Sequence, residues 1–173
     1  PLPDEIVEAV LALGLVPSPA HERVRNIVAS PLSGWWPRNT AAGPDAVADV
    51  RGIVAELDQR ICADAALAGL SGRFLFAIDD GRGDMLDQPF DVAYLAEDEA
   101  SGRLLFNTGS EIPVETHFTE ALHISSDAAA SVLVDVAKAF QRMRVATTPA
   151  PWHVRELDAG QRRALLTEAA ALA

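Results

Sequence analysis

The stretch RFLFAIDDGRGDMLDQPFDVAYLAEDEASGRLLFNTG (residues 73–109) sets three short runs of aromatic and branched residues between clusters of Gly, Asp and Pro. RFLFAIDD, FDVAYLAED and GRLLFNTG each have the length and residue preference of a strand, and the residues between them are those that turns use. They read as consecutive, antiparallel strands, with EALHIS (120–125) as a further one.

Helical periodicity lies on both sides of this stretch. In DEIVEAVLALGLVPSP (4–19), Asp4 and Glu5 suit a helix N-terminus, and Ile6, Val7, Val10, Leu11 and Leu13 recur at helical spacing until Gly14 and Pro17. From Asp45 to Ala68 the residues Val47, Val50, Ile53, Val54, Leu57 and Ile61 line one face, with Gly69 as C-terminal cap. SSDAAASVLVDVAKAFQRMR (125–144) predicts a long helix capped by Ser126 or Asp127, with Leu133, Val136, Ala137 and Phe140 inward. WHVREL (152–157) reads as extended, and Asp158 caps a last helix running to Ala173. Strands in the middle with helices before and after predict an α+β domain, a mixed or antiparallel sheet flanked by helices.

Composition narrows the function. The formal charge is −11, from 25 acidic residues against 14 Lys and Arg, of which Lys138 is the only lysine. Nucleic-acid binding needs a basic face to neutralise phosphates, so that class is set aside. Cys62 is the only cysteine, which rules out an internal disulfide and an iron–sulfur cluster held by this chain alone. No signal peptide or bilayer-length apolar run is present, so a cytoplasmic protein without a membrane partner is the default expectation. The sequence begins at Pro1, with a helix under way by Asp4, and reads as a piece of a longer chain.

Several stretches could carry chemistry. DDGRGD (79–84) has three aspartates, but Asp and Gly are turn residues, and a calcium loop needs more regularly spaced oxygen ligands. His21, His117, His123 and His153 are scattered, without metal-type spacing. No phosphate-binding loop or nucleophile elbow occurs, and Cys62 falls on the inward half of a helix, where an inert thiol is expected. The arginines are more informative. In HERVRNIVASPLSGWWPRN (21–39), Arg23, Arg25 and Asn26 run into a strand, Val24 to Ala29, followed by the turn Ser30–Gly34 and a loop. Arg73 stands in the same way before an apolar strand. Two arginines at the same end of adjacent strands could converge on one anion, since a planar guanidinium meets a carboxylate with two hydrogen bonds. The alternative is that each pairs with a surface carboxylate. Arg23 lies on the Arg25 side of the strand and reads as solvated.

In order and spacing, RVRNIVASPLSG, DVRGIVAELDQRI, LSGRFLF, FDVAYL and LLFNTGS resemble the motifs of the nitrite/sulfite reductase family over residues 21–145. Within it, NIVASPLSG with GRFLFAIDDGRGD most resembles the precorrin-3B synthase branch. The resemblance implies a larger α+β piece of a first half (21–150), preceded by the last helix of a ferredoxin-like piece (1–20) and followed by a segment and helix leading to a second half (151–173). It implies that Arg25 and Arg73, with Asn26 beside them, face carboxylates of a tetrapyrrole substrate. It further implies a [4Fe–4S] cluster whose ligands lie in the second half of the same polypeptide, with a non-haem iron as a further possibility and an electron donor left unidentified. The reaction implied is oxygen-dependent conversion of precorrin-3A to precorrin-3B by hydroxylation and lactone formation, with no acid or base identified. Leu75 stands where the reductases have a second lysine, and Ser110 where they have a second glycine. Both departures disfavour the alternative, a siroheme-dependent sulfite or nitrite reductase. A second alternative is a non-catalytic acidic interaction domain.

Overall fold

A computed structural model describes residues 2–35, 47–107 and 122–172. Its elements are α1 (Asp4–Ala12), β1 (Ile27–Ala29), α2 (Arg51–Ala63), β2 (Phe76–Asp79), β3 (Val92–Ala96), β4 (Ser101–Phe106), β5 (Leu122–Ser125), α3 (Ser126–Val145) and α4 (Ala159–Ala170). Four helices and one five-stranded mixed sheet make this an α+β fold, as the sequence predicts. The strands lie in sequence order.

The antiparallel expectation holds only for β3–β4–β5. β1, β2 and β3 run parallel, with Ile27 opposite Phe76 and Phe76 opposite Val92. The reason lies in the connections. Parallel neighbours need a long crossover, which α2 supplies between β1 and β2 and the loop 80–91 between β2 and β3. β2 is accordingly buried at every position, with none of the apolar–polar alternation of a half-exposed strand.

α2 and α3 cover one face of the sheet. Phe76, Ile78, Val92, Tyr94, Leu104 and Ile124 meet Leu57, Ile61, Leu133, Val136 and Phe140 there. Phe74 joins the two layers, its ring centroid 4.9 Å from Phe76 and 5.1 Å from Phe140. On the opposite face Ala77, Ala93, Leu95 and Leu105 form a smaller cluster under Phe90, Met85 and Leu86 of the loop 80–91. Gly102 has no side chain for a steric reason: a Cβ would stand 2.6 Å from the Tyr94 ring.

Several boundaries differ from expectation. β1 begins at Ile27 rather than Val24, because Arg23 and Val24 belong to a turn closed by the Val24 N–H to His21. The second predicted helix ends at Ala63, and Asp64 then caps a separate 3₁₀ helix, Ala65–Gly69, by accepting from the Ala66 N–H. The helix begins at Arg51 rather than Asp45, the described residues 47–50 being non-helical, while Asp45 itself, the loop after Trp35, Ser110 and His117 lie outside the described residues. Ser125, one residue before the predicted caps, holds α3 by accepting from the Ala128 N–H. WHVREL is not extended, since Val154–Glu156 form a 3₁₀ turn. Asp158 caps α4 as predicted, within a reciprocal box with Gln161. No described helix is long and apolar enough to cross a membrane.

α1 has the amphipathic pattern of a packed helix, yet buries no residue, and Ile6, Val7 and Leu11 are each more than 40% exposed. It therefore contributes little to the core energy. Removal of residues 1–16 is expected to change the unfolding free energy in urea by no more than about 0.5 kcal/mol. A loss above about 2 kcal/mol would show that α1 is integral to the fold.

Candidate functional site

The parallel pairing of β1 and β2 puts Arg25 and Arg73 at the same end of adjacent strands, as a convergent site requires. Asn26 fastens the two chain segments together. Its side-chain amide nitrogen donates to the carbonyls of Arg23, Gly72 and Phe74, at 3.2, 3.1 and 3.3 Å. This is a positioning role, filled by backbone acceptors.

The two guanidinium groups then part. Arg25 reaches α2 and forms a two-point ion pair with Asp58, Nε to Oδ1 at 2.6 Å and Nη2 to Oδ2 at 3.0 Å. These hydrogen bonds raise the already high pKa of Arg25. The pair stands at one end of an open cleft of about 520 Å³, walled by α2 and by the turn after β1. Ile27, Ala29 and Val54 supply apolar surface, and Arg51 lies further along, paired with Asp49. The turn itself is structural. Ser30 Oγ donates to Asp84 and accepts from the Asp80 N–H, while Ser33 Oγ accepts from the Val50 N–H at the start of α2. Gly34 has φ of 74°, and a Cβ there would lie 2.6 Å from the Arg51 guanidinium.

Arg73 goes elsewhere. Its guanidinium carbon lies 5.2 Å from the centroid of Trp152, and that of Arg144 lies 5.7 Å from the same centroid. Arg144 is fixed by donating to the carbonyls of Pro151 and Gly69. Leu75, on the far side of Phe74, packs partly buried against the small cluster of Ala77, Phe90 and Leu105.

Among the described residues, one group of acid, His or Cys side chains has its ligand atoms mutually within 4.8 Å: Asp79, Asp80 and Asp84. Each of its six carboxylate oxygens already has a protein donor. Asp79 accepts the N–H groups of Gly81, Gly83 and Met85, Asp80 and Asp84 share Arg82, and Asp84 also takes Ser30. The loop thus closes on its own hydrogen bonds, which favours the turn reading over a metal site. Burial nevertheless holds the Asp79 carboxyl above its ordinary range, against the pull of those N–H donors.

Asp91 is the functional-looking residue that sequence reasoning missed. Its carboxylate is fully buried and accepts from the Leu75 N–H at 3.0 Å and the Val154 N–H at 2.7 Å, with His153 Nδ1 at 3.1 Å. Its partners are sixteen and sixty-odd residues away, so no local motif marks it. The other described histidines are structural or superficial. His21 is buried between Ser18 and the Asp64 carbonyl, and His123 pairs with Glu97 at the surface. Cys62 is partly buried, and desolvation, then Asp58, raises its thiol pKa. A lone thiol of this kind does not fit an iron–sulfur cluster.

Replacing Asp91 by Ala leaves two backbone N–H groups without an acceptor, and is expected to cost about 2–4 kcal/mol in urea unfolding at pH 7. A loss below about 0.5 kcal/mol would show that the clasp is dispensable. Asp79 tests the electrostatics. A carboxyl raised in the folded state contributes stability that is full below its unfolded pKa of about 3.9 and is lost as pH rises through the folded value. The Asn side chain does not titrate, so the stability gap between wild type and Asp79→Asn is expected to be wider at pH 4 than at pH 7. A gap that narrows toward pH 4 would reverse the sign of the shift. Comparison of this chain with family models, curated proteins and solved structures finds no match.

Proposed function

We propose that this chain supplies part of the substrate site of a cobalamin-pathway oxidoreductase resembling precorrin-3B synthase. The observation that carries the reading is the placement of Arg25 and Arg73 at the same end of two parallel, adjacent strands, fastened by Asn26. A carboxylated tetrapyrrole presents several carboxylates around a flat ring, and two arginines rooted a strand apart, one reaching toward α2 and one toward Trp152, can each meet one of them. Arg73 has no carboxylate partner among the described residues. Arg25 must exchange Asp58 for the ligand, at small cost, because a partly exposed ion pair is worth about 0.2–1 kcal/mol.

The apolar packing of Leu75 supports the synthase over a siroheme reductase, which would need a dense cationic pocket for an oxyanion. A [4Fe–4S] cluster would be held outside this chain, and no step is assigned to it. The oxygen-dependent hydroxylation belongs to the whole protein. The share proposed for this chain is to bind and orient the tetrapyrrole by its carboxylates.

A titration of the chain with uroporphyrin, an octacarboxylate, followed in the Soret band, tests the reading. Saturable binding is expected, weakened tenfold or more by Arg25→Glu and by Arg73→Glu. Equal binding by wild type and variants, or no binding by wild type, would sink it. In the whole protein purified without oxygen, iron and sulfide without siroheme are the expected assay result, and stoichiometric siroheme would make it a reductase.

A further inference from the structure

The described arginines differ in their partners. Arg25, Arg51, Arg60, Arg82, Arg103 and Arg142 each pair with a carboxylate. In a chain with 25 acidic residues this is the ordinary outcome. Arg23, Arg73, Arg144, Arg155 and Arg163 meet no carboxylate among the described residues, and the first three belong to one place. Arg23 and Arg144 line a cleft of about 370 Å³ with Trp152, and Arg73 lies over the same indole. Glu22 is the one acidic residue of the lining.

Two guanidinium groups, those of Arg73 and Arg144, share the Trp152 ring, with Arg23 in the lining of the adjoining cleft, and such neighbours need something to offset their repulsion. The π face of Trp152 offsets part of it. The carbonyls of Gly69 and Pro151 fix Arg144 and add no net charge. Against these three cations the lining sets one carboxylate, Glu22, so the group stays net positive.

The geometry points to a binding site for a phosphate or diphosphate group of a small molecule in this cleft. The three arginines come from separate segments: the turn before β1, the approach to β2 and the last turn of α3. Donors from several directions suit a tetrahedral, multiply charged oxyanion, whereas a planar carboxylate is satisfied by one guanidinium fork. Trp152 and the Asp91 clasp, which holds the residues immediately after it, keep the donors in place before the ligand arrives. A net charge of −11 repels polyanions from the rest of the surface, so binding here would be confined to this cleft. The site does not rest on the tetrapyrrole reading, although Arg73 is common to both.

Isothermal calorimetry on the intact chain at low salt, with pyrophosphate as the phosphate probe and citrate as the carboxylate probe, tests this. One pyrophosphate per chain is expected, with citrate at least tenfold weaker. Arg23→Gln and Arg73→Gln should each weaken pyrophosphate tenfold or more. Arg163→Gln, at an exposed arginine on α4, should leave it unchanged. Arg23 and Arg73 have no side-chain hydrogen bond to lose among the described residues, and a urea midpoint equal to wild type would verify that those variants fold. No saturable binding by wild type, citrate binding as tight as pyrophosphate, or variants that bind like wild type would each overturn the proposal. Pyrophosphate binding that survives Arg25→Glu, with uroporphyrin failing to bind wild type, would leave this site standing and the tetrapyrrole reading fallen.

Discussion

The buried carboxylate of Asp91 is the joint on which the two halves of the structure turn. Its main chain links the starts of β2 and β3, because its own N–H donates to the Leu75 carbonyl while its carboxylate takes the Leu75 N–H. The same carboxylate holds His153 and Val154, so the segment after α3 is pinned to the end of the sheet where Arg73 stands. A carboxylate in such surroundings is tolerated only when its oxygens are fully engaged, and burial raises its pKa even so. The position of Trp152, and of the two guanidinium groups over it, follows from this one residue.

Much of the fold is legible in the sequence, and the exceptions share a cause. The last helix announces itself through Asp158 and Gln161, and α3 through a long apolar stripe, because caps and periodicity are local. Strand direction is not local. The apolar run of β2 fits a strand buried on both faces, but nothing in it says which neighbours lie alongside. The same limit applies to the site. That Arg25 and Arg73 each stand before a strand can be read from their settings, whereas the adjacency of the two strands cannot, and the partner of Arg25, Asp58, sits on a helix more than thirty residues on. Trp152 reads as part of an extended segment until the 3₁₀ turn beside it is seen. Arg23 is exposed, as read, but its setting could not show that it lines a cleft with Arg144, from the far end of the chain.

The electrostatics follow a simple pattern. Carboxylates outnumber cations, and six of the described arginines are paired with short-range carboxylates, some of them on the same turn or helix. The aspartates of the loop 80–91 are spent in the same way, on backbone N–H groups and on Arg82. Three of the arginines without such a partner gather at Trp152 and the cleft beside it. In a strongly acidic molecule a local positive field attracts anionic ligands to one point while the rest of the surface turns them away.

The parallel pairing of β1 with β2 also bears on how the molecule assembles. β3 and β4 are joined by a short turn and can close early, with little loss of chain entropy. Ile27 meets Phe76 only after the whole of α2 has been laid across the sheet. Contacts between segments so distant in sequence are slow to form, so β1 is expected to dock onto a sheet already begun. Arg25 and Asn26 are therefore expected to take up their places at a late stage of folding, and a chain stalled before that step would carry most of its core and lack the edge that β1 forms.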